Sequence, residues 1–383
     1  MLSIADYFDI GTNLLKVKCL RRFNVAPPPR VITYTVTWRC NARCEMCGVK
    51  DVDKKLKSRE NELSVRDIGK IFKDPLLKKL DLIRFTGGEP FLKEDFADIV
   101  EEIVKNTRTK IYYITTNGSY SQKIFDFVER LAPKTSNLVI QISLDAIGEV
   151  HDNIRKIPGL YHKALQTLQG LKNLKNKYKF TFGINQTITP QTVNYLDEIS
   201  ELCSKFECDH KVYLAYEAHE SDILEGEKLS SKLALISNPE KDTIKNIFKR
   251  IEECQKKENK KKRFVFSPEN LWEIVERYIL LGSKNRLLKG NAFPNPPCLA
   301  MFFYLRLLAD GTVMPCTLKP KPIGNLKKQT FSEIWNSKIA QDMRSEVRDC
   351  QGCWVECDVV SNIIYSSDVV KEICKEVFSF RKK

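Results

Sequence analysis

The chain has 383 residues, 13 cysteines, and 63 Lys and Arg against 49 Asp and Glu, a net charge of +14. That length holds one large domain with a smaller one, or a barrel with an appendage. The charge favours anionic partners such as phosphorylated small molecules, an acidic peptide, nucleic acid or a membrane surface. An odd cysteine count leaves a thiol over if the rest were disulfides, no leader with a small-residue cleavage site opens the chain, and no apolar run is long enough to cross a bilayer. Composition therefore speaks against a secreted or membrane-spanning protein and for cytoplasmic, metal-ligating cysteines.

Residues 1–30 read as a peripheral segment, a short helix over residues 3–23 followed by Pro27, Pro28 and Pro29. The helix either caps one end of the fold or lies on a membrane surface with Lys16, Lys18, Arg21 and Arg22 as its basic part.

From Val31 a rhythm of β-rich runs and charged, amphipathic stretches begins. The runs start at Val31, Leu80, Lys110, Asn137, Lys179 and Lys211, and the helical patterns between them near Ser64, Glu94, Ser121, Leu160 and Thr192. Strand followed by helix, repeated, predicts a parallel sheet with right-handed crossovers. Six units closing part of a circle predict a partial (β/α)6 TIM-like barrel over residues 31–220, with functional residues at the C-terminal strand ends.

Those ends carry the special chemistry. After the first strand come Cys40, Cys44 and Cys47 in a CxxxCxxC spacing. Then follow, strand by strand, Thr86, Gly87, Gly88, Glu89 and Pro90; Thr116, Asn117 and Gly118; Ser143 and Asp145; Asn185 and Gln186; and Tyr216, Glu217 and His219. Three thiolates in eight residues can hold three irons of a cubane, whereas an ordinary electron-transfer cluster takes four, so one iron is left open to bind something else. The alternatives are a zinc knuckle short of a ligand or part of a disulfide framework.

Residues 221–297 lose the strand rhythm and read as two helices, 242–257 and 268–288, either a substrate-facing insertion or a bridge. Residues 298–357 then predict a C-terminal α+β domain. Cys298, a β-rich run, the Asp310-Gly311 hairpin step and Cys316 bring two cysteines together, and a helix opened by Thr330 and Glu333 in capping-box spacing leads to Cys350 and Cys353. A hairpin pair plus CxxC is a complete cluster shell, with structural zinc on the same thiolates as the alternative. Cys357 is spare or substituting, and residues 358–383 are a helical tail.

CxxxCxxC followed one strand later by GGEP resembles the radical S-adenosylmethionine (SAM) enzymes, and the C-terminal cysteines with the IGNL run from Ile323 and Ile334-Trp335 resemble their twitch or SPASM extension. The resemblance implies a 4Fe-4S cluster on Cys40, Cys44 and Cys47 that binds SAM, and one auxiliary 4Fe-4S cluster on Cys298, Cys316, Cys350 and Cys353. It implies SAM contacts from Gly87, Gly88, Glu89 and Pro90 toward the methionine amino group, from Ser143 and Asp145 toward the ribose, and from Arg155 toward the carboxylate. Thr116, Asn117 and Asn185 belong to the same rim. The residue before the third cysteine, often aromatic in the family and placed against the adenine, is Met46, whose thioether can still pack on a purine.

The activity implied is reductive cleavage of SAM to a 5′-deoxyadenosyl radical that takes a hydrogen atom from an unactivated carbon, with the auxiliary cluster in electron transfer. Glu217 and Tyr216 are the candidates for proton acceptance or substrate contact, a rim hydrogen-bond network being the alternative. The substrate expected is a sugar, nucleotide or phosphorylated lipid precursor, with a peptide as the alternative, and the reductant a flavodoxin or ferredoxin. From another class stand a non-catalytic iron-sulfur scaffold and an RNA-binding protein. The basic run at Lys256, Lys257, Lys260, Lys261, Lys262 and Arg263 has no interleaved aromatics, which argues against nucleic acid.

Overall fold

The computed structural model describes residues 20–49, 61–216, 239–259, 268–319, 321–350 and 353–364. The N-terminal helix over 3–23, apart from its last residues, lies outside these, as do Glu217, His219, the lysine-rich residues 260–263 and the tail beyond 364.

Nine strands form one sheet. They are β1 (Val31–Thr37), β2 (Leu82–Gly87), β3 (Tyr112–Thr116), β4 (Leu138–Ser143), β5 (Thr181–Ile188), β6 (Asp209–Leu214), β7 (Tyr304–Leu307), β8 (Thr312–Met314) and β9 (Gly324–Asn325). Their spatial order is β9-β8-β7-β1-β2-β3-β4-β5-β6. From β1 to β6 every neighbour is parallel, as strand–helix alternation requires.

The crossovers carry α1 (Val65–Phe72), α2 (Phe96–Asn106), α3 (Ser121–Leu131), α4 (Gly148–Arg155), α5 (Leu160–Lys175) and α6 (Leu196–Phe206). Their apolar stripes cover the outer sheet face. Tyr34 packs on Phe85 with ring centroids 6.2 Å apart, Phe85 on Phe96 of α2 at 5.7 Å, and Phe96 stacks on Phe127 of α3 at 5.3 Å. Side chains alternate along a strand, so the residues between these, Thr33, Thr35, Arg84 and Thr86 among them, face the inside of the curved sheet.

The C-terminal hairpin is continuous with the barrel. β7 pairs in parallel with β1, with Thr33 opposite Arg306, and β8 turns back antiparallel on β7. The Asp310-Gly311 turn has the positive φ of +89° at Gly311 that such a step needs. The capping box at Thr330 and Glu333 opens α9 (Phe331–Asn336), and α10 (Lys338–Arg348) and α11 (Glu356–Ile364) complete the domain.

Of the two long helices in the middle, α7 (Lys241–Asn259) packs its Ile244, Ile247, Phe248 and Ile251 on Ile188, Val193 and Leu196. The second, α8 (Pro268–Lys289), touches the last barrel strand and the cysteine domain. Lys211 of β6 pairs with its Glu276 at 3.0 Å, and Trp354, in the cysteine domain, donates to Ser283 Oγ at 2.9 Å and stands against Gly282. No described helix is long and apolar enough to cross a membrane.

Candidate active site and metal centres

The loop after β1 holds Cys40, Cys44 and Cys47, and its backbone is clamped from two sides. From the β2 end, Gly88 N donates to Thr37 O at 2.7 Å and Glu89 N to Arg39 O at 2.8 Å. From the end of α4, Arg155 O and Ile154 O accept from Arg43 N and Glu45 N at 3.2 and 3.1 Å. The glycine pair is what permits the first clamp. A Cβ at position 88 would stand 2.0 Å from Arg39 O, and at Gly87, whose φ is +116°, 2.3 Å from Thr37 O. Only a residue without a side chain lets two backbones approach so closely.

Glu89 is fully buried and its carboxylate holds the next strand end. It accepts from Asn117 N at 2.7 Å, Thr116 Oγ1 at 2.7 Å and Phe91 N at 3.1 Å. Burial pushes its carboxyl up to about 7 against the pull of these hydrogen bonds and of Arg155. Asn117 in turn donates to Asn41 Oδ1 at 2.8 Å, within the cysteine loop. Glu89 is thus a brace between strands, and what the turn offers a ligand is its backbone.

Asp145 is likewise tied into the fold. Its carboxylate is completely buried and accepts from Arg155 Nε at 2.6 Å and from Thr187 N at 2.9 Å. Arg155 extends past it to within 3.7 Å of Cys44 Sγ. Burial works against the Arg155 charge, but Asp145 and the Cys44 sulfur outweigh it and hold the guanidinium more firmly protonated than usual. The guanidinium thus braces the loop at one of its three sulfurs.

His151 of α4 is part of this cluster. Its Nδ1 accepts from Asp145 N at 3.2 Å, its Nε2 is buried without a partner, and burial and Arg155 depress its pKa to about 4 although Asp145 and Asp152 oppose them. The folded chain binds fewer protons here than the unfolded chain, where imidazole titrates near 6.5. Stability is therefore full above pH 6.5 and falls as pH drops from 6.5 toward 4. From pH 7 to pH 5 this residue is expected to cost about 2 kcal/mol, a loss read by anaerobic urea unfolding and largely absent in His151→Gln. An equal slope in both proteins would show that the ring charges without penalty.

The remaining expected rim residues fall where strand ends place them. Ser143 and Asn185 stand in register on β4 and β5, and Asn185 Oδ1 accepts from Tyr113 OH at 3.2 Å. Met46 is half-buried in the cysteine loop and Pro90 buried behind the glycines. Tyr216 follows the last barrel strand. It is packed with Ile188, Leu214 and α7, and its hydroxyl lies 3.0 Å from Ser283 Oγ of α8.

The donor sets fit iron-sulfur clusters. Cys40, Cys44 and Cys47 are free thiols sharing one site, and Cys40 is pushed up to about 12 by burial, by Glu89 and by the other two sulfurs. In the C-terminal domain Cys298 is held far above the usual thiol range by a hydrogen bond with Cys350, by burial and by Cys316 and Cys353, and burial with Asp358 raises Cys316 to about 12. Thiols whose ionisation is opposed by burial become ligands when a cationic cluster neutralises them. Among the described residues no group of three His, Cys, Asp or Glu closes to the spacing of a single ion, and a cubane sets its sulfurs farther apart than one ion does.

A three-cysteine loop clamped against a glycine turn at the mouth of a partial parallel barrel is the architecture of radical SAM enzymes, and the model of the radical SAM superfamily matches residues 34–203. Residues 298–354 match the SPASM iron-sulfur cluster-binding domain, so the chain belongs to the radical SAM superfamily and carries a C-terminal SPASM domain. Its cofactors are SAM and 4Fe-4S clusters. Pre-heme d1 synthase of Dinoroseobacter shibae is 30% identical over 195 residues, 49% of this chain and 44% of that protein. The chain thus spans about half the length of that relative. AdoMet-dependent heme synthase of Methanosarcina barkeri is 24% identical over 324 residues, 82% of this chain and 85% of that protein. Streptococcus suis SuiB bound to S-adenosylmethionine shares the fold, with a TM-score of 0.59 over 90% of this chain and 74% of that one at 14% identity.

Proposed function

We propose that the chain abstracts a hydrogen atom from an anionic small molecule, one bearing carboxylates or phosphates. The observation that carries this reading is the match to a heme synthase running through 85% of that protein, which takes in both the barrel and the cysteine domain. The charge of +14 fits the same class. The peptide alternative has likeness of fold behind it, in SuiB bound to its precursor peptide at 15% identity.

Held on Cys40, Cys44 and Cys47, a reduced cluster and SAM supply hydrogen-atom abstraction from an unactivated carbon. The chain's part is to place and protect. Arg155 and Asp145 fix the loop of Cys44, the Gly87-Gly88 backbone approaches the ligand closely, and the polar inner face of the sheet positions the reacting carbon. The SPASM cysteines Cys298, Cys316, Cys350 and Cys353 hold a second cluster for electron transfer, and a flavodoxin or ferredoxin supplies the electrons.

The test is anaerobic reconstitution with iron and sulfide counting, then 5′-deoxyadenosine assay with SAM and dithionite in the presence of coproporphyrin III, GTP or a cysteine-containing peptide. About eight irons per chain and at least tenfold stimulation by an anionic small molecule are expected. Stimulation by the peptide alone would overturn the substrate class, and one zinc in place of four irons would remove the electron-transfer role of the second site.

A further inference from the structure

In the C-terminal domain the residue directly after each of three cysteines is pinned by a partner distant in the chain. Leu299, behind Cys298, donates its backbone N–H to Asn362 Oδ1 at 2.9 Å. Thr317, behind Cys316, donates its backbone N–H to Asp358 Oδ2 at 2.9 Å. Trp354, behind Cys353, donates its indole N–H to Ile279 O at 3.0 Å and to Ser283 Oγ at 2.9 Å. Two of the three pins belong to one helix, α11.

Asp358 and Asn362 stand four positions apart and so share one face of α11. The neighbouring stripe, Val359, Val360 and Ile363, packs with Val275, Tyr278, Ile279 and Trp354. The helix therefore buries its polar face as well as its apolar one, since Asp358 and Asn362 are each only 3% exposed. A carboxylate and an amide in the interior are costly unless their partners satisfy them. The partners here are the backbone N–H groups directly after the two hairpin cysteines, and Cys353 stands just ahead of Glu356, where the helix begins. One short helix thus ties three of the four cysteine positions to one another.

Asp358 also brings charge. Its other oxygen accepts from the Tyr304 hydroxyl, which burial and the carboxylate itself keep protonated far above the usual tyrosine range. Burial first, and Asp358 second, push up the Cys316 and Cys353 thiols. A negative group that opposes thiolate formation also opposes the negative charge that reduction adds to a bound cluster, and so lowers its potential. Arg306, whose Nη1 donates to Thr317 Oγ1 at 2.7 Å, and Arg286, near Cys353, carry the opposite charge.

We propose that Asp358 and Asn362 are positioning residues for the auxiliary cluster: they fix the backbone behind Cys316 and Cys298, and the Asp358 carboxylate holds the bound cluster at a lower potential. Neither residue touches the reacting atoms. The inference rests on the reading that Cys298, Cys316, Cys350 and Cys353 hold a second cluster, and deepens it by naming what governs that cluster's retention and redox poise.

The test uses the reconstituted full chain, with iron counting, chelator challenge and an anaerobic redox titration followed by electron paramagnetic resonance. Wild type is expected to hold about eight irons. Asn362→Leu cannot accept from Leu299 N and should hold its auxiliary iron about tenfold more weakly against the chelator, whereas Asn362→Asp still accepts and should retain it. Asp358→Asn separates charge from placement. Its amide oxygen can accept from Thr317 N and its amide N–H can donate to the Tyr304 oxygen, so iron should stay while the charge is gone. The auxiliary couple should then shift about tenfold toward the reduced form, a rise of about 59 mV for one electron. A helix that only supports the fold would leave that potential where it is. Wild type holding about four irons would remove the second-cluster reading, and this inference with it. With about eight irons in wild type, either an unmoved potential in Asp358→Asn or unchanged retention in Asn362→Leu overturns this inference alone.

Discussion

Gly88→Ala is expected to empty the SAM-binding cluster while leaving the other cluster in place. A Cβ at this position would stand 2.0 Å from Arg39 O, and the obstruction is backbone that cannot rotate away. Either the Gly88 N–H to Thr37 O bond breaks or the chain shifts at Arg39, immediately before Cys40. Iron content should fall by about half, from about eight to about four per chain. 5′-Deoxyadenosine formation should drop at least 100-fold, since placement errors near one ångström cost about that much. Gly159→Ala is the control. Its φ of +75° makes alanine strained, at about 1 kcal/mol, but nothing lies within 4 Å of the added carbon, and iron should be retained. A Gly88→Ala protein with its full iron would show that the two loops separate without loss of the site.

Much of this site was legible because strand–helix alternation says where strands end, and in a parallel barrel the special residues gather there. The six predicted strands and five helical crossovers are all present. The short helix α4 was not predicted. Gly148–Arg155 offers only Val150 and Ile154 as aliphatic residues and no capping side chain, so no stripe announced it. Its end nevertheless clamps the cysteine loop.

Hydrogen-bonding fates were the less legible part. The resemblance placed Glu89 and Asp145 among the SAM contacts, but local sequence cannot say that the carboxylate of each also joins two neighbouring elements. Tyr216, a candidate for proton acceptance or substrate contact because it follows the sixth strand, also reaches Ser283 of α8, a partner 67 residues away that no local pattern encodes. The hairpin's place beside β1 is a pairing across more than 260 residues that no periodicity encodes. One available signal was passed over. Parallel strands covered on both faces read as continuous apolar runs, yet here every second residue is polar over Thr33 and Thr35, Arg84 and Thr86, Gln141 and Ser143, which announces a polar interior.

Asp145→Asn decides whether this carboxylate serves the fold or the cofactor. If it faced a ribose, the variant would weaken SAM binding and leave stability nearly unchanged. In the structure it is the partner of a guanidinium only 11% exposed, and removing one member of a buried pair leaves an uncompensated charge that costs about 3 kcal/mol. Asparagine can still accept from Thr187 N, so the deficit arises from Arg155 and not from the strand. Asp145→Asn with Arg155→Met should therefore recover most of the stability, because no charge is then left in the interior. The double variant should not recover activity, since Arg155 also stands 3.7 Å from Cys44 Sγ. Anaerobic urea unfolding and SAM affinity, measured on the two variants side by side, separate the cases. Stability unmoved with SAM affinity lost would return Asp145 to the ribose. Stability lost and then regained makes it the counter-ion that keeps Arg155, and through it Cys44, in place.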